Sequence, residues 1–192
     1  MRTTAKRIYT VKKTLLALSL GLTASLLGAS AFANTGTVKF EGKVTSSTCP
    51  IQIVNPDDGS VGDHVKMGSV DASRFTAAGQ EHGGKRFALR VSGGAGCSIT
   101  AGSVANTTFI GVPDASGNYF QVTPGADGAR GVSISLRDQR GVSIAPGSSS
   151  ADYDLNVGAP TDMDFYAYYR STATAVTAGV ASADIQFVVA VN

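Results

Sequence analysis

The sequence predicts an all-β domain, a β-sandwich of immunoglobulin-like type. From residue 34 onward, short runs alternate apolar and polar residues with the period of a strand, and helical periodicity is nearly absent. Clusters of turn-forming residues such as Asn55–Gly59 and Pro124–Gly128 separate these runs. The chain contains no Trp. An antibody-type domain, in which a Trp packs on the disulfide, is therefore not implied.

Residues 1–33 have the pattern of an export signal. Five basic residues lie in the first 13 positions, and an apolar run follows from Leu15 to Leu27. Ala31 and Ala33 place small residues where a signal peptidase cleaves. The apolar run is too short for a helix that spans a bilayer. We therefore expect residues 1–33 to be removed.

The mature chain, from Asn34, has 159 residues, a suitable length for one domain with its own core. The full chain has 16 Lys and Arg against 14 Asp and Glu, a net charge of +2. Without the five basic residues of the signal, the mature chain has 11 Lys and Arg against 14 Asp and Glu, and its net charge is −3. No basic cluster with interleaved aromatic residues remains, which argues against nucleic acid and anionic membranes as partners.

About ten short runs predict strands within one domain without internal repeats. They are Lys39–Thr45, Cys49–Val54, His64–Met67, Arg86–Val91, Thr107–Val112, Asn118–Val122, Val132–Leu136, Val142–Ile144, Asp154–Val157, Phe165–Tyr169 and Ile185–Val191.

Cys49 and Cys97 are the only cysteines, and both belong to the exported part. An even count in an oxidising compartment predicts one disulfide. The closed loop of about 49 residues corresponds to roughly 4 kcal/mol of stabilisation in the chain-entropy description. His64 and His82 lack the paired spacing of metal ligands, so we expect no metal site.

Catalytic motifs are absent from the sequence. There is no Gly-x-Ser-x-Gly and no His-Glu-x-x-His, although a triad of distant residues is not excluded by sequence. Glu81–Gly84 is predicted to form a loop. Asp162 and Asp164 are predicted to form a surface turn, since the other ligands of a calcium site are missing. We expect a protein without enzymatic activity, cofactor or small-molecule substrate.

The two ends of the mature chain both predict strands with one apolar face. The N-terminal face consists of Val38, Phe40, Gly42 and Val44, and the C-terminal face of Ile185, Phe187, Val189 and Val191. The last strand carries no charge, proline or bulge to protect an exposed edge. The N-terminal segment could cover such an edge in another molecule. Pairing of that segment within its own domain remains equally open from the residues alone.

Six segments in this order resemble the chaperone–usher pilins, especially the major subunits of type 1 fimbriae. They are Gly36–Val44 followed by Cys49, then Val65–Gly68, Gly94–Cys97, Gly131–Asp138, Phe165–Ser171 and Gly179–Phe187. Together they cover essentially the whole mature chain.

The resemblance implies an incomplete immunoglobulin-like sandwich that lacks its last strand and is completed in trans by a donor strand. Residues 34–48 would be the donor extension, with Val38, Phe40, Gly42 and Val44 as its inserting face. Residues 49–192 would be the pilin domain, and Ile185, Phe187, Val189 and Val191 would line the acceptor groove. Basic residues of a periplasmic chaperone would hold the carboxylate of Asn192.

The implied partners are neighbouring pilin subunits in a homopolymer, a periplasmic chaperone and an outer-membrane usher. The resemblance also implies that the chain is exported through the periplasm to a fimbrium on the cell surface. The chain departs from the family at Val191, where a penultimate Tyr is common. The alternative function is a monomeric exported β-sandwich that binds a carbohydrate or a protein. In that case Tyr166, Tyr168 and Tyr169 could form a sugar platform, although the pattern favours a strand with one buried face.

Overall fold

The computed structural model describes residues 49–192. This part of the chain contains nine strands and one short 3-10 helix, joined by loops. The strands are β1 (Ile51–Val54), β2 (Glu81–Val91), β3 (Val104–Ile110), β4 (Phe120–Gln121), β5 (Val132–Asp138), β6 (Ser143–Ile144), β7 (Tyr153–Asp154), β8 (Thr161–Ser171) and β9 (Gln186–Val191), and the helix is Ala72–Arg74. Within these residues, no helix is long and apolar enough to cross a bilayer.

The strands form two antiparallel sheets. The first sheet has the order β1-β2-β8-β5-β4, with β6 also paired to β5, and the second has the order β7-β3-β9. The long pair of β2 and β8 forms the centre of the first sheet. The all-β prediction is therefore confirmed.

The core lies between the inner faces of the two sheets. Along β8, buried residues alternate with half-buried or exposed ones, as a strand with one face on a core requires. Phe165 from β8 packs edge-on against Phe109 from β3, with ring centroids 5.0 Å apart, and stacks on Phe87 at 5.6 Å. These three rings join the sheets through the apolar contact that sandwiches bury.

Tyr153 also links the two sheets. Its hydroxyl donates a hydrogen bond of 2.6 Å to the carbonyl of Asp164 in β8 and accepts one of 3.1 Å from the backbone N–H of Gln139. Burial raises the pKa of Tyr153 to about 12. The hydroxyl therefore remains protonated and continues to donate at physiological pH.

The outer face of the first sheet carries cross-strand ion pairs. Arg90 in β2 lies opposite Asp162 in β8, and its guanidinium donates two hydrogen bonds of 2.6 and 2.7 Å to that carboxylate. Arg86 and Asp164 form a similar pair, with bonds of 3.1 and 2.7 Å. The prediction of a surface turn at Asp162 and Asp164 is wrong, because both carboxylates pair with arginines along this strand.

Glu81–Gly84 is a second departure from the prediction, since it forms the start of β2 rather than a loop. Glu81 pairs with Arg170 and His82 with Tyr169, and a bulge between His82 and Lys85 accommodates the two glycines. His64–Met67 is predicted to form a strand, but the structure has no strand there. It has no strand partner within residues 49–192, although Val61 makes an isolated bridge to Val54 just before it. Lys39–Thr45 lies outside the described residues.

The predicted disulfide between Cys49 and Cys97 is present, with a Cα–Cα distance of 4.7 Å. It joins the residues just before β1 to a turn after β2, where Gly94 and Cys97 exchange backbone hydrogen bonds of 3.1 and 2.9 Å. The bond therefore attaches an edge strand of the first sheet to the rest of the domain.

Replacement of both Cys49 and Cys97 by Ala is expected to lower the free energy of unfolding by about 4 kcal/mol, because the unfolded chain regains the entropy of an open loop. Urea unfolding of the purified subunit measures this change. Reduced wild-type protein is the matched control and should behave like the double variant. Equal stability of the double variant and the oxidised wild type would contradict the expected contribution.

Candidate strand-acceptor groove

One edge of β9 has no strand beside it within the described residues. β9 is the last strand of the second sheet and, among the strands of residues 49–192, pairs with β3 alone, with Val191 opposite Ala105 and Gln186 opposite Ile110. Edge strands of this kind present a row of unpaired backbone donors and acceptors.

The ladder register shows which backbone groups face this open edge. Val104 and Asn192 exchange hydrogen bonds of 3.0 and 2.9 Å, so they are a hydrogen-bonded pair of the antiparallel ladder. Backbone direction alternates along a strand, so the N–H and C=O groups of Phe187, Val189 and Val191 point away from β3. These three residues offer hydrogen bonds to an additional strand.

The same residues present their side chains to the core. Ile185, Phe187, Val189 and Val191 are half-buried and pack against the core cluster, whereas the intervening positions are exposed, with Val188 at 56%. The acceptor row predicted from the sequence therefore lies on one face, and its burial is incomplete. An apolar row that is only half covered favours a further apolar partner.

A second wall faces β9 across the groove. Residues 63–68 have no regular secondary structure, and no backbone–backbone hydrogen bond joins them to another described residue. Val65 and Met67 turn inward and pack against the core. The second wall and the start of the β9 wall, with Ile185 and Phe187 but not Val189 or Val191, line one cavity of about 510 Å³. We call this cavity the acceptor groove.

The floor of the acceptor groove is apolar. It is formed by inner-face residues of both sheets, namely Phe87, Leu89, Phe109, Ile134, Leu136 and Ala167. The groove therefore opens directly onto the core of the sandwich. An extended apolar segment placed here would complete the core and would find unpaired backbone groups on β9.

The family model for fimbrial proteins matches residues 38–192. The chain belongs to this family. Within it, this pilin is 33% identical over 181 residues to a probable major fimbrial subunit, LpfA, of Escherichia coli O157:H7, covering 93% of the pilin and 96% of the relative. It is 31% identical over 176 residues to the type-1 fimbrial protein A chain of Escherichia coli K12, covering 89% and 91%.

Solved structures agree with this assignment. A type I fimbria protein of Burkholderia pseudomallei superposes with a TM-score of 0.54 at 29% identity, covering 77% of this pilin and 90% of that chain. The P pilus rod subunit PapA gives a TM-score of 0.56 at 18% identity, covering 74% and 99%, which supports the fold. The protein is a structural chaperone–usher pilin that builds a fibre, and it is neither an enzyme nor the monomeric binding module considered above.

The predicted site residues fall into two groups. The acceptor row of β9 forms one continuous wall, and Asn192 hydrogen-bonds to Val104 at the end of that wall. The donor residues Val38, Phe40, Gly42 and Val44 lie outside the described residues. Of the three tyrosines, Tyr169 is buried in the core, whereas Tyr166 and Tyr168 lie on the outer face of β8.

Sequence reasoning missed the contact that holds the beginning of the β9 wall. Residues 127–131 and 177–180 are joined by four backbone hydrogen bonds of 2.7 to 3.1 Å. Gly179 lies directly on this backbone, and a Cβ at Gly179 would come within 2.5 Å of the carbonyl carbon of Gly128. Only a residue without a side chain permits this approach. A glycine between Ala178 and Val180 was the available signal in the sequence.

Replacement of Gly179 by Ala is therefore expected to destabilise the domain by about 1–3 kcal/mol, the usual cost of forcing atoms into a packed site. Differential scanning calorimetry of the purified subunit measures the loss as a lower unfolding temperature. Gly94→Ala is the matched control, because a Cβ there meets nothing within 4 Å. An equal, small effect of both substitutions would contradict the close backbone packing at Gly179.

Proposed function

We propose that this pilin polymerises by donor-strand exchange, in which residues 34–48 of one copy add a strand beside β9 of the next. The observation that carries the proposal is the combination found at β9. Among residues 49–192 no strand covers this edge, and the apolar row lies only half-buried beside a groove that leads into the core. An added strand gains hydrogen bonds and apolar contact together.

The donor extension has the side-chain pattern that this groove requires. Val38, Phe40 and Val44 would turn toward the core, and Lys39 and Glu41 would turn toward solvent. Burial of the three large side chains contributes about 5–9 kcal/mol before ordering costs. Gly42, on the inserting face, allows a close approach of the acceptor backbone or side chains.

The contact is heterologous, because the donor extension and the acceptor groove are different surfaces of the same chain. Each copy that donates its extension still offers its own groove to another copy. Such contacts add subunits without limit unless the rotation closes a ring. A homopolymeric fibre at the cell surface follows from this geometry, without a nucleotide or cofactor.

An open apolar groove requires protection before assembly, because exposed strand edges promote aggregation. A periplasmic chaperone that lends a strand to the groove during folding provides this protection. Basic residues of the chaperone would hold the carboxylate of Asn192, next to the end of the β9 wall. At the outer-membrane usher, the extension of the incoming subunit then replaces the chaperone strand. Residues 1–33 would direct the chain into the periplasm.

Phe40→Asp tests the donor role. Loss of the apolar contact costs about 3 kcal/mol or more, equivalent to a reduction in junction affinity of about a hundredfold or greater. We expect surface fibres, counted by electron microscopy, to disappear. The subunit should still be recovered folded with its chaperone, since the substitution lies outside the pilin domain.

Lys39→Asp is the matched control, because it introduces the same residue one position earlier, on the solvent face. Fibres of normal length and number should form with this variant. Normal fibres with Phe40→Asp would contradict the donor role of this segment. Loss of fibres with both variants would show that charge, rather than the inserting face, decides assembly.

A further inference from the structure

Tyr169 lies where the two walls of the acceptor groove meet. It projects from β8 into the core, and its ring is 9% exposed. Its hydroxyl is 3.3 Å from the carbonyl oxygen of Gly68, which belongs to the second wall, residues 63–68. The carbonyl oxygen of Ala181, just before β9, is 3.5 Å away. One hydroxyl thus lies between the backbones of both walls.

A second apolar cavity lies behind this ring. We call it the rear cavity; it has a volume of about 460 Å³. Its lining includes Val70, Phe75, Val132, Val176 and Val180. Among the described residues, only Tyr169 and Ala181 line both the rear cavity and the acceptor groove. Tyr169 therefore separates two spaces that could both accept apolar side chains.

The surroundings hold the ring in this position. Gly83 lies beside it in the bulge of β2, and a Cβ at Gly83 would come within 3.1 Å of Cδ2 of Tyr169 and 2.6 Å of Cγ2 of Val70. Gly83 also has a φ of 69°, which favours glycine. Burial raises the pKa of the Tyr169 hydroxyl, so this group keeps the one proton that it can donate to either wall carbonyl.

A boundary of this kind adds to the register preference that Gly42 provides, because the period-two alternation of the donor does not by itself determine one register. A shift by one residue would turn the apolar face of the donor to solvent, but a shift by two would keep it on the groove. Residues 36–44 place Gly36, Val38, Phe40, Gly42 and Val44 on the same face. A donor displaced by two residues would therefore still present an acceptable row.

We propose that Tyr169 closes the end of the acceptor groove and thereby sets the register of the donor strand. The ring excludes donor side chains from the rear cavity, and its hydroxyl lies between carbonyl oxygens of the two walls at that point. Tyr169 is a positioning residue in this role. The inference rests on the proposed donor-strand exchange, so the test must separate failure of the register from failure of docking.

Cysteine pairs in the full chain measure the register. Val188→Cys marks the outer face of β9, and it is combined in turn with Lys39→Cys, Glu41→Cys or Lys43→Cys on the outer face of the donor. Directly opposite residues on paired strands lie within reach of a disulfide. Mild oxidation of assembled fibres, followed by non-reducing electrophoresis, shows which pair links neighbouring subunits.

When position 169 is unchanged, we expect one donor position to crosslink about tenfold better than the other two, which would show a clear preference for one register. Tyr169→Ala should bring a second position, two residues away, to a similar yield. Tyr169→Leu gives the same expectation with less loss of apolar packing and replaces the Ala variant if that variant does not fold. Tyr169→Phe keeps the ring and should retain the single position.

A single, unchanged crosslink position in the Ala and Leu variants would overturn the role of Tyr169 and leave donor-strand docking intact, even if fibre yield fell. The absence of crosslinks at all three positions in the Tyr169 background would instead overturn docking of residues 34–48 beside β9. A shifted register in the Ala and Leu variants supports the proposal whatever the Phe variant does, and the Phe variant shows whether the ring or the hydroxyl is decisive.

Discussion

The open edge of β9 is the constraint on which the rest of this structure depends. Phe187, Val189 and Val191 face the core with their side chains and face away from β3 with their backbone groups. If these side chains were buried while the outward-facing backbone groups had no hydrogen-bond partner, polar groups would be left unsatisfied in an apolar setting, which is costly. Only a strand can satisfy both requirements at once. This is the reason for our proposal that an extended segment completes the domain.

The remainder of the fold keeps the groove from collapsing. The aromatic cluster around Phe165 and the hydrogen bond from Tyr153 to Asp164 join the two sheets away from β9. The disulfide attaches the residues before β1, and the packing of Gly179 on Gly128 holds the chain that leads into β9. These contacts do not depend on an added strand. They can therefore keep the two walls apart before a donor strand binds in the groove.

Much of this architecture was predictable, because period-two alternation is a strong signal when one strand face is buried. The apolar row of β9 follows from such a pattern, and the disulfide follows from the presence of two cysteines in an exported chain. Sequence reasoning failed where tertiary pairing outweighs local preference. Glu81–Gly84 forms a strand despite two glycines, because β8 pairs with it through a bulge. His64–Met67 alternates like a strand but finds no described partner. The position of Tyr169 between two cavities depends on the meeting of distant segments, which no local pattern encodes.

A reconstruction of the assembled fibre by cryo-electron microscopy, at a resolution that separates strands, tests the central claim most directly. The account predicts an additional strand along the open edge of β9, with Phe40 in the acceptor groove and chain density continuing to Cys49 of a neighbouring subunit. A groove that is empty in the fibre, or one filled by residues 34–48 of the same subunit, would contradict it.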